Sequence, residues 1–388
     1  MSKTLAQPAI FDAGTPQILG LATAVPPFRE AQDVVARKMA VISDLDERET
    51  KWLQRLYSNS RVKYRQSVVS AFAEEIDSWQ IFGKKNPIST AARNAIYKQQ
   101  APKLSHQAAQ LALDTWGGKA ADITHIIFVS CTGVMAPGVQ SYLQKSLHLS
   151  PYINQIGLNM MGCFGAFKGL DLAAAYARQN PDFRILVVCC ELCTLHLQAS
   201  NDPEHQVGNA LFADGAAACI VGTHAKPFEQ ALYSIEKNVS YSLPDTSDKM
   251  TWEVIDTGFL MGLKPDVPQF IFEHIAEFAQ KLLPKGVGIY DCQWPVHPGG
   301  KQILNAVQNA LNLTEEHLAC SWEVLAQHGN MSSATFLFIL DAMNKQSRTS
   351  PWAIGLGFGP GLTVEGVLLG NSPPLKKGVA GRKACGGI

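Results

Sequence analysis

The sequence predicts an α/β protein organised around a largely buried sheet. Short β-branched apolar runs alternate with helix-like segments, and the same alternation returns in the second half of the chain. With 46% hydrophobic and 17% charged residues there is enough apolar material for a large core. At 388 residues the chain exceeds one ordinary core and fits one large or two medium domains.

The first stretch, Ala31 to Gln110, reads as mostly helical, as in "AQDVVARKMAVISDLDERETKWLQRLY". "DITHIIFVSCT" (Asp122 to Thr132) suits a buried strand; the turn signal Ala136-Pro137-Gly138 and a helical "VQSYLQKSLHL" follow it. "FRILVVCCELC" (Phe183 to Cys193) and "GAAACIVGT" (Gly215 to Thr223) are further strands, and the helix-like "FKGLDLAAAYARQN" precedes them. Strand, helix and strand in this order imply a layered fold with a sheet covered on both faces.

The least structured stretch is Thr223 to Phe228, which sets the expected division at 1–225 and 226–388. Beyond it, the helical "VPQFIFEHIAEFAQKLLP" leads to "CQWPVHPGGKQILNAVQNAL", a short strand turning through Pro298-Gly299-Gly300 into a helix. "NMSSATFLFILDAMNKQ" is a helix opening on Ser and Thr, and "PWAIGLGFGPGLTVEGVLLG" is two strands joined by a glycine-rich turn. The Gly-, Pro- and Lys-rich tail from about 371, with Cys385, is expected to be mobile. No internal repeat is visible.

Lys plus Arg (33) balances Asp plus Glu (33), so no global field attracts nucleic acid or an acidic membrane. No run approaches the roughly 20 apolar residues of a membrane span. "MSKTLAQPAIFDAG" lacks the apolar core of a signal peptide. Nine irregularly spaced cysteines fit reduced thiols, so a cytoplasmic protein is expected.

Cys163, in "NMMGCFGAFKG", lies between Gly162 and Gly165 at the start of a helix. Free backbone N–H groups and the helix dipole favour a thiolate there, and glycines permit a sharp bend and close approach of a substrate. A buried structural thiol fits the same position about equally well. His297 in "VHPGGKQIL" and Asn330 in "QHGNMSSATF" are its candidate partners, each at a strand–turn–helix junction where α/β folds place active sites. Taken alone, His297 reads as a turn histidine and Asn330 as a helix N-cap.

Cys190, Cys193 and His196 in "CCELCTLH" have metal-like spacing, but no fourth ligand or second close pair accompanies them, so no metal is expected. Strand alternation would put Cys190 and His196 on one face and Cys193 on the other. "GLGFGPGLT" lacks the Gly-Lys-Ser/Thr of a phosphate loop and reads as a rigid wall. Arg55, Arg61, Lys63 and Arg65 form a basic cluster, either a solvated helix face or a contact for the phosphates of coenzyme A.

Taken together, "MGCFGAFKGL", "GNALFADGAAACIVG", "VHPGGKQIL" with "QHGNMSS", and the closing "GFGPGLTVE" resemble a type III polyketide synthase of the chalcone/stilbene synthase family, from about Pro16 to Gly370. The resemblance implies a thiolase-like fold of two similar halves in five α-β-α-β-α layers, working as a homodimer. It implies Cys163 as acyl-carrying nucleophile, His297 and Asn330 as its polar partners, and Phe212 as gatekeeper between the coenzyme A tunnel and the cavity. Cys131, Thr132, Cys193, His196, Trp252 and Ser332 are the implied cavity residues, and Arg55 the implied contact to coenzyme A. Acyl-CoA and malonyl-CoA would be the substrates, with no bound cofactor.

His196 stands where plant chalcone synthases have a small hydroxyl residue, and Trp252 where they have glycine. The "CTGVMAPG" loop is shorter than the plant one. These departures imply a bacterial-type enzyme making pyrones or resorcinols, with fatty acyl starters common among such relatives. A ketoacyl-carrier-protein synthase III and an inactive acyl-CoA-binding protein are the alternatives. The glycine loop and Phe212 weigh against the first, and the intact Cys163, His297 and Asn330 against the second.

Overall fold

A computed structural model describes residues 14–371, apart from 76–77, 80–81, 84–86, 224–225 and 347–349. The expected division at 225, the tail after 371 and Cys385 lie outside the described residues.

The N-terminal half opens with β1 (Pro16–Ala24) and β2 (Phe28–Ala31), then α1 (Gln32–Ile42), α2 (Glu47–Asn59), β3 (Tyr64–Ser67) and α3 (Thr90–Trp116). It continues through β4 (His125–Ser130), α4 (Val139–Ser146), β5 (Asn154–Asn159), α5 (Gly165–Gln179) and β6 (Ile185–Leu192), and ends with α6 (Pro203–Leu211) and β7 (Asp214–Thr223). The C-terminal half holds β8 (Tyr233–Ser242), β9 (Met250–Ile255), β10 (Gly258–Leu263), α7 (Val267–Gln280) and β11 (Cys292–Gln293). Three helices, α8 (Lys301–Ala310), α9 (Ala319–His328) and α10 (Ala334–Lys345), precede the closing pair β12 (Trp352–Gly359) and β13 (Thr363–Asn371).

Nine strands run in the order β5-β4-β6-β7-β1-β8-β13-β12-β11. Pairing repeats between the halves. β1-β7-β6 and β8-β13-β12 are antiparallel, whereas β6-β4-β5 and β12-β11 are parallel. The two sets meet only where Gln17 and Ile18 of β1 face Ser234 and Tyr233 of β8. The repeat that the sequence hides is therefore explicit in topology.

Alternation along each strand divides the side chains between cores. Ile126 and Phe128 of β4 join an outer core with α1 to α4, while Ile127 and Val129 join an inner core with α5 and α10. In the other half, Ala353, Val367 and Leu369 point to the same inner core, and Ile354, Leu356 and Val364 point to a third core with α7 and α8. Three cores between five layers make the expected thiolase-like fold. α10 sits in the middle layer and its first eight residues are all buried, which explains the unbroken apolar run "ATFLFIL".

Two regions depart from the sequence reading. The mostly helical first stretch is interrupted by β3, which pairs with β2. β8 to β10 have no plain strand signal in the sequence; beyond its first three residues β8 is only partly covered and alternates polar residues. The strand expected before His297 is two residues long; the chain is then held by a single bridge from Val296 to Leu356. Among the described residues no helix is long and apolar enough to cross a membrane.

Candidate active site

Cys163 is presented by a tight turn. After β5 the backbone enters the left-handed region at Met160 (φ 59°) and Gly162 (φ 67°), makes a 3-10 turn over Gly162–Phe164, and continues into α5. A Cβ at Gly162 would lie 2.5 Å from Cδ of Pro360, so this glycine serves both the bend and the contact with the closing glycine loop. Gly165 has ordinary helical φ (−55°), and a Cβ there would meet Val129 at 2.6 Å. It serves close packing, not approach of a substrate. The Cys163 side chain packs against Cys193 and Phe212.

Asn330 arrives from the other half. Its N–H donates to the Leu211 carbonyl (2.8 Å) and its carbonyl accepts from Ala213 N–H (2.9 Å), so it is bridged to Phe212. Its Oδ1 accepts the Ser332 N–H at 2.8 Å, which turns Nδ2 toward Cys163 Sγ, 4.0 Å away. Asn330 is no N-cap; Ser333 holds that position in α10.

His297 is fully buried, its N–H donating to the Leu356 carbonyl (2.8 Å). β12 is the shared rail, since the missing side chains of Gly357 and Gly359 admit the rings of Phe167 and Phe164, which follow Cys163 in sequence. Neither ring nitrogen of His297 has a hydrogen-bond partner among the described residues.

Burial pushes the Cys163 thiol up to about 11; the Glu191 charge adds to this, while bonds from Ser332 and Asn330 oppose it. Burial alone pushes His297 down to about 3. Taken singly, each favours its neutral form, so the helix start by itself does not make a thiolate.

The cavity beside Cys163 is small, about 20 Å³, and is lined by Cys131, Thr132, Cys193, Phe212, Trp252 and Ser332. A second compartment of about 20 Å³ includes His196. Cys193, Phe212, Trp252 and Met261 wall both.

The sequence models of the "Chalcone and stilbene synthases" N-terminal and C-terminal domains match residues 5–225 and 234–373. The chain belongs to the chalcone and stilbene synthase family. It is 33% identical over 330 residues to type III polyketide synthase C of Arabidopsis thaliana, covering 82% of this chain and 85% of that one. It is 36% identical over 285 residues to probable polyketide synthase 1 of Dictyostelium discoideum, covering 72% of this chain, which spans 9% of that protein's length. Its fold is similar to the crystal structure of the C-terminal type III polyketide synthase domain of Steely1, a type I/III hybrid from Dictyostelium. The TM-score is 0.88 at 31% identity, over 92% of this chain and 99% of that one.

Within this member of the chalcone and stilbene synthase family, several expected residues have sharper places than the sequence suggested. β6 ends at Leu192 and Cys193–His196 form a 3-10 turn, so strand alternation does not continue. Cys193 and His196 both face the compartments, whereas Cys190 lies in the outer core with Sγ 3.8 Å from the Ala101 carbonyl. Among the described residues no group of three His, Cys, Asp or Glu could hold a metal.

His196 is a strut. Its Nε2–H donates to the Thr132 carbonyl (2.9 Å), Nδ1 accepts the Phe259 N–H (3.0 Å), and its ring stacks on Phe259 at 4.4 Å. Burial pushes it down to about 4, which keeps this neutral tautomer. Trp252 Nε1–H donates to the Cys131 carbonyl at 2.8 Å, pinning the indole across the cavity.

Glu191 and Met261 escaped the sequence reading. Glu191 is fully buried and accepts from Ser333 Oγ (2.5 Å), Thr132 Oγ1 (2.8 Å) and Cys131 N–H (2.9 Å). A carboxylate inside the apolar run "VVCCELC" was the available signal.

The basic cluster is not one surface. Arg55 is exposed and lines a groove of about 790 Å³ with Arg37, Lys51 and Lys63. Arg61 pairs with Glu315 at 3.1 Å, and Arg65 is fully buried.

Proposed function

We propose that this chain is a bacterial-type type III polyketide synthase that loads a starter acyl-CoA on Cys163, extends it with malonyl-CoA by decarboxylative condensation, and cyclises the product to a pyrone or resorcinol. The observation that carries this reading is the Asn330 amide, locked by Ser332 so that its N–H groups face Cys163 inside a buried cavity.

In the first step His297 takes the thiol proton as Sγ attacks the starter thioester; the S–acyl bond forms, the bond to coenzyme A sulfur breaks, and the proton leaves with that thiol. Malonyl-CoA then loses CO2, and its electron pair remains as an enolate. Asn330 Nδ2–H and the His297 ring donate to the enolate oxygen. The enolate carbon attacks the Cys163 thioester, and the thiolate departs to be reprotonated. Phe212, Trp252 and Met261 keep water from the carbanion. Decarboxylation itself supplies the carbanion, so the reaction calls for no bound cofactor or metal.

Arg55, with Arg37, Lys51 and Lys63 along the same groove, suits the phosphates of coenzyme A. Both compartments are too tight for a long alkyl chain unless Trp252, Phe212 or Met261 turns aside. β5 is an exposed edge strand at the end of the sheet, the kind of edge that a second copy covers in a homodimer. Reduced thiols suit a cytoplasmic setting.

The test is incubation with radiolabelled malonyl-CoA and a panel of acyl-CoA starters, with products identified by mass. Extension products with at least one starter are expected; absence of both CO2 release and extension would sink the reading.

The proton transfer from Cys163 to His297 has its own readout. In His297→Gln, alkylation of Cys163 by iodoacetamide at pH 7 is expected to slow about a hundredfold or more and then climb about tenfold per pH unit, because a lone thiol near 11 is protonated at neutrality. An unchanged rate would remove His297 as the proton partner.

A further inference from the structure

Arg65 is fully buried, yet none of the steps above uses it. Its Nη1 donates to two backbone carbonyls at the end of α6, Asn209 at 2.5 Å and Phe212 at 3.0 Å. The guanidinium lies between two aromatic rings, its central carbon 5.6 Å from the centre of Tyr57 and 5.7 Å from that of Phe72. Its aliphatic stem passes directly beneath Gly329, where a Cβ would stand 3.3 Å from Arg65 Cγ and 2.8 Å from the Leu211 carbonyl. Gly329 also has φ 72°, so two independent requirements favour glycine there.

The same short segment is held at a second point just after β3, where Val68 N–H donates to Asp214 Oδ2 at 2.9 Å. Residues 209–214 therefore rest on Arg65 and Val68 below and on Asn330 alongside, through the Leu211 and Ala213 bonds. These bonds tie Phe212 and Asn330 together. A cation without a directly bonded carboxylate is costly to bury, and this one spends its best-placed donor on two carbonyls rather than on a charge.

We propose that Arg65 is a positioning residue, fixing the Phe212 gate and the Asn330 amide as one rigid pair in front of Cys163. The proposal rests on the condensing-enzyme reading above. It predicts a selective defect, because acyl loading needs the thiol and His297, whereas condensation also needs the Asn330 amide at the enolate oxygen.

Arg65→Lys keeps the charge but not the fork, and Arg65→Met keeps neither. Both variants and the wild-type protein are compared by circular dichroism, thermal melting, covalent loading of Cys163 by starter, CO2 release and extension product. In folded variants loading is expected to persist, while extension falls about tenfold to a hundredfold, as expected for a displaced catalytic group. CO2 release should fall with extension, so the ratio of loading to extension should rise, and KM for malonyl-CoA should change far less than kcat.

Wild-type turnover and ratio in folded variants would overturn the proposal. So would loading and extension falling together in proportion to the folded fraction, or variants that do not fold at all, since either result assigns Arg65 to stability alone. A wild-type protein that neither loads nor extends would instead overturn the reading beneath it.

Discussion

Cys163→Ala is expected to abolish covalent acyl loading and to lower extension by at least about a thousandfold, the scale on which loss of a nucleophile acts. Partial CO2 release from malonyl-CoA should survive, because in the proposed mechanism the enolate oxygen is held by Asn330 and His297, not by sulfur. The site makes this a demanding test. Cys131 and Cys193 line the same cavity, so two further thiols stand close to the loaded position. Both are pushed well above the ordinary thiol range by burial, with the Glu191 charge adding to it. Neither should replace Cys163, and mass spectrometry of the loaded variant would reveal it if one did. Acylation at Cys131 or Cys193 would refute the assignment of the nucleophile.

Trp252→Ala is expected to change what is made more than how fast. The indole stands between the two compartments, which it walls together with Cys193, Phe212 and Met261, and its Nε1–H is tied to the Cys131 carbonyl. Removing it should merge the compartments and extend the room available to starter and chain. Relative kcat/KM for a longer acyl-CoA over a short one should rise about tenfold or more, given that single methylenes in a fitted pocket already discriminate at that level. Products should shift toward additional extensions. An unchanged starter ranking and product profile would show that Trp252 does not set the cavity.

How far the site was legible depended on how local each signal was. Gly162, Cys163 and the following helix are contiguous, so the strained turn and its thiol could be read directly. His297 and Asn330 were legible only as residues at strand–turn–helix junctions. What places Asn330 beside Cys163 is distant, since it is oriented by Ser332 close by but positioned by Leu211 and Ala213, more than a hundred residues earlier. Arg55, Arg61 and Arg65 look alike in sequence. Burial separates them, because Arg65 points inward from β3 whereas Arg55 lies on the open face of α2. His196 lines the second compartment and is a strut as well, a role made by the Phe259 amide on a hairpin that has no local signal in the sequence.

By itself the sequence determined the layered α/β class, the buried strands and their helices, and the glycine-flanked turn that carries Cys163, because apolar periodicity and glycine placement act within a few residues. Only the tertiary structure decided which neutral groups face Cys163, that Trp252, Phe212 and Met261 divide the cavity, and that the two halves repeat one pairing scheme. Those properties arise from desolvation and from contacts between residues far apart in the chain, and neither is written in any local pattern.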